Sequence, residues 1–355
     1  MKIIVLSGGL SPERDVSLIS GKGICEALRL RGHKAYLLDS FMGIEYDEDK
    51  LDELFDTADG GVSIAKGIST VAPDLKALKA SRPDKSDSLL GPNVINLCKM
   101  ADITFMAMHG TDGENGKIQA TFDVLGIKYT GPCSLGCALS MDKQIAKDLF
   151  VRNGVPTPAG TILTPETKDT TLEEMGLHLP VVLKPNASGS SIGVYIVNTK
   201  EEYDKAIYES FVAGDETEML VEPFIKGKEF ASAIIAGRAL PLIELVPKDG
   251  LYDYANKYQS GGATELCPPV SIDEAKQDEI KRACEKAFKA LHMDVYARAD
   301  FIVDDYDGSI YCFEVNALPG MTATSLLPFA AKNDGIEYGE LCELIIEESM
   351  KARYR

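Results

Sequence analysis

Four polar side chains occupy alternating positions in two apolar segments of the C-terminal third of the chain. The first segment carries Arg298 and Asp300, and the second carries Glu314 and Asn316. A three-residue loop, 306–308, separates the segments and ends in glycine, which suits the left-handed residue of a hairpin turn. If Asp300 pairs with Glu314, all four side chains share one face, because residues two apart in a strand point the same way.

This polar face has two interpretations, a metal site and a salt-bridged sheet surface. Two facing carboxylates repel each other unless a cation lies between them, which weakens the second interpretation. Together with an amide carbonyl, the carboxylates of Asp300 and Glu314 are the hard oxygen donors that Mg²⁺ prefers, with substrate phosphates completing its coordination. The local pattern therefore favours a magnesium site.

A second candidate site is the glycine- and serine-rich segment 186–191, close after Lys184. Its backbone N–H groups and hydroxyls can cradle phosphate oxygens, although the segment joins two strand-like runs and lacks the GxxxxGK[ST] pattern of a P-loop. Lys143 stands at the predicted start of a helix and would add a second cation. The same residue types also form ordinary turns and solvated surfaces.

Two further candidates follow N-terminal strands. Glu13 comes after Ser7-Gly8-Gly9, which lacks the GxGxxG of dinucleotide-binding proteins, and its place in a first helical turn is already favoured by the helix dipole. His109 follows an apolar strand and precedes glycine, at the carboxyl end where ligands collect in open α/β sheets. A structural role is the alternative for both residues.

The elements that must position these residues can be outlined from the apolar pattern. Residues 2–6, 34–38 and 103–108 are predicted strands, and Ser11 is predicted to cap the helix that follows the first of them. The first ~130 residues therefore predict an open α/β domain. The polar segment 247–262 has no clear period, and a loop of that length in a compact domain is usually functional.

Composition and charge exclude several classes of protein. The 355 residues exceed the roughly 250–300 that one core supports, so two or three domains are expected. A net charge of −18 argues against a nucleic-acid partner. The eight cysteines contain no CxxC, which disfavours a disulfide scaffold or a zinc site. With no export signal and no run of ~18 apolar residues, we expect a cytoplasmic protein without a membrane partner.

Eight segments, in order along the chain, resemble the motifs of the D-alanine–D-alanine ligases, members of the ATP-grasp superfamily. They are SGGLSPERDVSLISG at 7–21, HGTDGENG at 109–116, YTGPCSLGCALSMDK at 129–143, KPNASGSSIGV at 184–194, EPFIKGKEF at 222–230, YDYANKY at 252–258, RADF at 298–301 and EVNALPGMTATSLLP at 314–328. The resemblance implies an α/β ATP-grasp fold. An N-terminal open α/β (Rossmann-like) domain at 1–131 would precede two α+β lobes, 132–222 and 223–355, that clamp ATP, with 247–262 as a lid.

The resemblance also implies a role for each matching residue. Residues that bind ATP are implied at Lys143, Lys184, Glu222, Phe224, Ile225 and Glu229, and residues that hold two Mg²⁺ or Mn²⁺ ions at Asp300, Glu314 and Asn316. Catalytic roles are implied for Glu13, Ser190, Tyr258, Arg298 and the backbone N–H of Gly320. Contacts with the D-alanine substrates are implied for His109, Lys257, Ser325 and Leu326.

The activity that the resemblance implies is ATP-dependent ligation of two D-alanines through a D-alanyl phosphate, for peptidoglycan synthesis, by a homodimer. D-Ala–D-Ser and D-Ala–D-Lac ligases share most of these motifs, and another ATP-grasp carboxylate–amine ligase would share some, so these alternatives stay open. A non-catalytic nucleotide-binding module is disfavoured by the intact Arg298 and metal set. An NAD-dependent enzyme is disfavoured by the missing glycine fingerprint.

Overall fold

The computed structural model describes residues 1–57, 73–189, 192–247 and 263–354. Its N-terminal part is a three-stranded parallel sheet, ordered β2-β1-β3. The strands are β1 (Lys2–Ser7), β2 (Lys34–Asp39) and β3 (Ile103–Met106). The helices of this part are α1 (Arg14–Leu30), a 3₁₀ helix (Glu48–Asp56), α2 (Leu75–Ser81), α3 (Val94–Met100), α4 (Thr111–Glu114) and α5 (Lys117–Leu125).

Continuous apolar runs explain the parallel sheet. Residues 3–6 of β1 are fully buried, as expected for a strand that is covered on both faces. The three predicted N-terminal strands are confirmed, but the predicted helix start is wrong. The Ser11 hydroxyl donates to the His109 carbonyl oxygen and accepts from the Glu13 N–H at 3.3 Å, but α1 itself begins only at Arg14, with Glu13 as its preceding residue.

Two antiparallel sheets make up the rest of the chain. Helices α6 (Ser134–Met141) and α7 (Lys143–Arg152) lead into a four-stranded sheet ordered β4-β7-β5-β6. Its elements are β4 (Thr161–Leu163), β5 (Val181–Pro185), β6 (Tyr195–Val197), α8 (Lys200–Phe211) and β7 (Met219–Pro223). Antiparallel pairing joins all four strands, and a separate small core between this sheet and α8 buries Val181, Leu183, Tyr203 and Val221.

The third sheet is the largest and has the order β11-β10-β8-β12-β13, with β9 beside β8. Its strands are β8 (Gly227–Ile235), β9 (Arg238–Ala239), β10 (Ile243–Pro247), β11 (Ala263–Leu266), β12 (Tyr296–Asp304) and β13 (Ile310–Asn316). The accompanying helices are α9 (Glu274–Ala290), α10 (Leu326–Asn333) and α11 (Tyr338–Arg353). One face of this sheet packs on α6, α7 and α9 in a single core.

The register predicted for the β12–β13 hairpin is confirmed at the end that carries the polar residues. Arg298 pairs with Asn316, and Asp300 pairs with Glu314. Gly308 has the left-handed φ of +71° that the turn requires. All four polar side chains therefore stand on one face of the sheet.

Nearer the turn the simple register is wrong, because a β-bulge follows Asp300. Phe301 pairs with Cys312, so Phe313 is the extra residue on β13. Uninterrupted alternation predicts that Phe313 points away from the polar face. The bulge instead brings Phe313 to the side of Glu314, where both residues line one cleft.

The C-terminal helices pack into the core of the N-terminal sheet, so that the two ends of the chain share one core. At the end of α11, the Arg353 guanidinium donates to the carbonyl oxygens of Gly131 and Tyr129 at 2.7 and 2.8 Å, and to Asp294 at 2.6 Å. This side chain is only 13% exposed. Arg353 therefore fastens α11 to the segment that connects the N-terminal sheet with α6.

The helices and the cysteines of the structure bear on the class of protein. Within the residues that the structure describes, no helix is both long enough and apolar enough to cross a bilayer. All eight cysteines are free thiols. Most are buried, and burial raises the pKa of Cys98 and Cys284 to about 12, which keeps both thiols protonated and poorly nucleophilic.

We predict that Arg353→Met lowers the free energy of unfolding by about 2–4 kcal/mol, because it leaves a partly buried carboxylate and two carbonyl groups without their donor. Urea unfolding followed by circular dichroism measures the change. Lys351→Met, on the same helix turn and 53% exposed, is the matched control and should stay within about 0.5 kcal/mol of wild type. Equal effects of the two substitutions would contradict the conclusion that Arg353 fastens α11 to the segment before α6.

Candidate active site

A cleft of about 680 Å³ lies between the second and third sheets. Its two walls are antiparallel sheets, and the loop after β5 contributes Ser188 and Gly189 to its lining. Ten of the residues singled out from the sequence line it: Lys143, Lys184, Glu222, Phe224, Ile225, Glu229, Arg298, Asp300, Glu314 and Leu326. Positions more than 180 residues apart in sequence are thereby brought to one cavity.

The floor of the cleft holds a chain of three buried charges. Lys184 on β5 lies 2.5 Å from one carboxylate oxygen of Glu222, and Lys147 on α7 lies 2.6 Å from the other. Burial alone would raise the pKa of Glu222, but the two lysines outweigh it and hold that pKa below its ordinary value. Burial lowers the pKa of Lys147, against the opposing effect of Glu222. The floor carries a net positive charge suited to an anionic ligand.

The glycine- and serine-rich loop after β5 is tied to the start of α7. The Lys143 ammonium donates to the Ser188 carbonyl oxygen at 2.5 Å, and the backbone N–H of Gln144 donates to the Asn186 side chain at 3.0 Å. Asp142 caps α7 by accepting from the Ile145 N–H. Lys143, Lys184 and the loop therefore surround the same end of the cleft.

The polar face of β12 and β13 forms the opposite wall. The Arg298 guanidinium donates to both Asp300 oxygens, at 2.7 and 2.8 Å, and the Asn316 amide donates to Asp300 at 3.0 Å. The donor set of two carboxylates and an amide oxygen fits a hard cation. Within the described ranges no group of three or more His, Cys, Asp or Glu side chains could hold a metal. A cation here would therefore need the Asn316 oxygen and oxygens of a bound ligand.

Glu13, which follows the N-terminal strand β1, lies against Gly189 at the edge of the cleft. The residue is 9% exposed, and its carboxylate lies so close to two glycines that a Cβ at Gly110 or Gly189 would stand 2.8 or 3.0 Å from Oε2. Gly189 belongs to the loop after β5, so Glu13 and the lysines approach the same loop from two sides. An ion pair between Arg14 and Asp39 anchors the turn before Glu13.

His109 has both ring nitrogens engaged within the protein. Nδ1 lies 2.9 Å from the Leu318 carbonyl oxygen and Nε2 lies 3.1 Å from the Ser20 hydroxyl. Because a carbonyl only accepts, Nδ1 carries the proton. Burial lowers the pKa of His109 despite the nearby charge of Glu13. The ring therefore holds the loop after β13, beside Glu13.

Glu114 holds the same loop, and sequence reasoning missed it. Its carboxylate accepts from the N–H of Leu318 and from the N–H of Gly110, both at 2.9 Å. Burial, followed by the charge of Glu13, raises the pKa of Glu114 to about 8. Leu318 is thus bound at both its N–H and its C=O by residues of the HGTDGENG segment, which was the available sequence signal.

The loop held in this way carries the remaining candidates. Gly320 approaches Ser325 so closely that a Cβ would stand 2.8 Å from the hydroxyl oxygen, and the Thr322 N–H donates to that hydroxyl at 3.1 Å. Leu326 begins α10 and lines the cleft. The candidates Ser190, Lys257 and Tyr258, together with residues 248–262 of the predicted lid, lie outside the described residues.

A parallel α/β unit followed by two antiparallel sheets that face each other across a cation-lined cleft is the ATP-grasp architecture. The family models "D-ala D-ala ligase N-terminus" and "D-ala D-ala ligase C-terminus" match residues 2–132 and 149–347. The chain therefore belongs to the D-alanine–D-alanine ligase family.

Individual relatives agree over nearly the full length. A D-alanine–D-alanine ligase of Pediococcus pentosaceus is 40% identical over 347 residues, covering 98% of this chain and 97% of the relative. The crystal structure of the Bacillus anthracis D-alanine–D-alanine ligase complexed with ATP has a TM-score of 0.74 at 30% identity, covering 99% and 98% of the two chains. A D-Ala:D-Ser ligase from Enterococcus faecalis has a TM-score of 0.73 at 25% identity, covering 98% and 99%.

The pKa of Glu114 predicts a specific pH dependence of stability. Folding raises the pKa of Glu114 from 4.5 to about 8. The protonated carboxyl therefore contributes its full stability below the pKa of the unfolded chain, and this contribution is lost as the pH rises through about 8. Glu114→Gln cannot ionise at this position. We expect the stability of wild type minus that of the variant to decrease between about pH 5 and about pH 9.

Thermal unfolding of both proteins across this pH range measures the difference. Glu53→Gln, at an exposed position of the 3₁₀ helix, is the matched control and should give a pH-independent difference. A pH-independent difference for Glu114→Gln as well would contradict the raised pKa.

Proposed function

We propose that the chain ligates two D-alanine molecules to D-alanyl-D-alanine at the expense of ATP, through a D-alanyl phosphate, and so supplies a peptidoglycan precursor. The observation that carries the proposal is the convergence of Glu13, Lys184 and Arg298 around the loop and walls of one cleft. Glu13 would face the ammonium of the amino acid, Lys184 the polyphosphate and Arg298 the developing oxyanion, each with the opposite charge. The full-length similarity to D-alanine–D-alanine ligases supports the same assignment.

ATP would occupy the cleft with its phosphates at the loop after β5. Lys143 and Lys184 would contact the phosphates, since both ammonium groups lie at that end of the cavity. Glu222, Phe224 and Ile225, at and after the end of β7, would hold the adenine, partly through backbone atoms. Glu229 on β8, which also lines the cleft, would bind the ribose.

Asp300, Glu314 and Asn316 would hold Mg²⁺ or Mn²⁺, two ions in all, by their oxygen atoms. A divalent cation held there would offset charge on the transferring phosphoryl group. The bidentate contact of Arg298 with Asp300 would have to loosen as the cation and nucleotide arrive. That change would free guanidinium donors for the substrate.

The chemistry would proceed in two displacements. A carboxylate oxygen of the first D-alanine would attack the γ-phosphorus of ATP, forming the acyl phosphate and releasing ADP. The amine of the second D-alanine would then attack the acyl carbon, lose a proton, and expel phosphate from the tetrahedral intermediate. Glu13 would hold the first ammonium, with His109 beside it, while Arg298 and the Gly320 N–H would stabilise the oxyanion.

The second subsite determines which dipeptide or depsipeptide is made. Lys257, Ser325 and Leu326 would form this subsite, and Ser190 and Tyr258 would close the 247–262 lid with Glu13 to exclude water. We propose D-alanine as the second substrate. D-serine and D-lactate are the competing acceptors, and a D-Ala:D-Ser ligase is among the similar structures.

We further propose that three consecutive parts of the chain are domains with separate functions. Residues 1–131, 132–222 and 223–355 each contain one of the three sheets, and would act as the substrate domain and the two nucleotide-clamping lobes. The enzyme would work as a homodimer in the cytoplasm, where ATP is available, and without a nucleic-acid or membrane partner.

We predict that the protein releases phosphate from ATP when given D-alanine and Mg²⁺, with one dipeptide formed per ADP. L-alanine should not replace D-alanine. Glu13 and Arg298 would fix the ammonium and the carboxylate of the first substrate, so that its methyl group would fit in only one of the two configurations at the α-carbon. Coupled phosphate release with product chromatography measures both. No turnover on D-alanine, or equal turnover on both enantiomers, would refute the assignment, and mixtures with D-serine or D-lactate would identify the preferred acceptor.

We predict that Glu314→Gln raises the half-saturating Mg²⁺ concentration by about tenfold or more and lowers kcat, because it removes one ligand charge while it keeps the side-chain shape. The measurement is a Mg²⁺ titration of activity at saturating substrates. Glu279→Gln, a half-exposed carboxylate on α9, makes the same chemical change away from the cleft and should match wild type. A Glu314→Gln titration that coincides with the control would rule out the metal role.

A further inference from the structure

Lys147 is a buried lysine beneath the cleft for which neither the sequence motifs nor the proposed reaction supplies a role. It stands one helical turn after Lys143 on α7, and only 3% of the residue is exposed. Its ammonium contacts three oxygens: Glu222 Oε2 at 2.6 Å, Thr157 Oγ1 at 3.0 Å and the Pro158 carbonyl at 2.9 Å. The contacts with Thr157 and Pro158 are hydrogen bonds, and the contact with Glu222 is an ion pair.

Glu222 is shared between two lysines that are held very differently. Lys147 is fixed by the Thr157–Pro158 segment as well as by Glu222. Lys184 lines the cleft, with its ammonium 5.7 Å from the centre of the Phe313 ring. Of the two cations, Lys184 is therefore the one placed to respond to a ligand, while Lys147 stays in position.

This difference matters because Glu222 is itself buried. A buried carboxylate that loses its only counter-ion is strongly destabilised, since the desolvation of its charge is no longer offset. If Lys184 were the sole partner of Glu222, its transfer to a phosphate group would strand that carboxylate. With Lys147 in place, Glu222 keeps one ion pair whichever partner Lys184 takes.

We propose that Lys147 is a positioning residue for the nucleotide: it remains on Glu222 as a fixed counter-ion, so that Lys184 can turn from Glu222 to the phosphates of ATP. The inference rests on the proposed function, in which Lys184 contacts those phosphates. It adds that phosphate binding depends on a lysine that does not itself touch the ligand.

The test is the affinity for β,γ-imido-ATP with Mg²⁺, measured by isothermal titration calorimetry on the full chain. We expect Lys147→Met to weaken binding by about 10- to 100-fold, the effect of losing a charged hydrogen-bonded partner. The KM for D-alanine should change less than about twofold, because Glu222 and Lys147 lie at the nucleotide end of the cleft. Lys147→Arg, which keeps the charge, should recover most of the affinity.

Thr157→Val is a milder second variant that keeps Lys147 and removes one of its anchors. It should weaken nucleotide binding by a few-fold and it tests the inference even if Lys147→Met folds poorly. Lys205→Met, an exposed lysine on α8, is the matched control and should bind like wild type.

Two results would overturn the inference, and they are distinguishable. If wild type binds β,γ-imido-ATP and both Lys147→Met and Thr157→Val bind it equally well, Lys147 is only a stabilising residue, whatever the change in Tm. If wild type itself gives no binding heat and no protection against thermal unfolding with the analogue, the nucleotide assignment of the cleft fails, and the inference fails with it.

Discussion

Hydrogen-bond pairing of β12 with both of its neighbours is the constraint on which the cleft depends. On one side Arg298 and Asp300 pair with Asn316 and Glu314, and on the other Ile302 pairs with Glu229. Directly opposed residues share a face, so one strand aligns the candidate metal ligands, the arginine and the candidate ribose ligand. A slip of one residue would send every one of them into the core between the sheet and its helices.

The second structural requirement is that the N-terminal sheet contacts this wall at a fixed point. His109 and Glu114 bind the two backbone groups of Leu318, which lies between Asn316 and Gly320. Glu13, which precedes α1, lies against the loop after β5. The parts of the chain proposed to bind the amino acid, the metal and the phosphates are therefore connected by the hydrogen bonds at Leu318 and by the close packing of Glu13 against Gly189.

Much of this arrangement could be predicted from the sequence, and the omissions have physical causes. The register at the polar end of the hairpin was predictable because the three-residue loop that ends in Gly308 determines which residues of the two strands face each other. The bulge at Phe313 was not, because residues 310–313 are all apolar or aromatic, so the change of phase that an extra residue causes cannot be read there. Lys147 and Glu114 were missed since their roles depend on burial and on partners 75 and 204 residues away. The start of α1 was placed too early because Ser11 begins a separate turn, in which its hydroxyl accepts from the Glu13 N–H, before the helix starts at Arg14.

The central claim is that the polar face of β12 and β13 is where nucleotide and cation meet. The most direct measurement is a crystal structure with Mn²⁺ and β,γ-imido-ATP, with data collected at the manganese absorption edge. The account predicts anomalous density in contact with Asp300, Glu314 and Asn316, and phosphates beside Lys143 and Lys184. Anomalous density elsewhere in the chain, with Asp300 still bound by Arg298 and the analogue absent from the cleft, would contradict it.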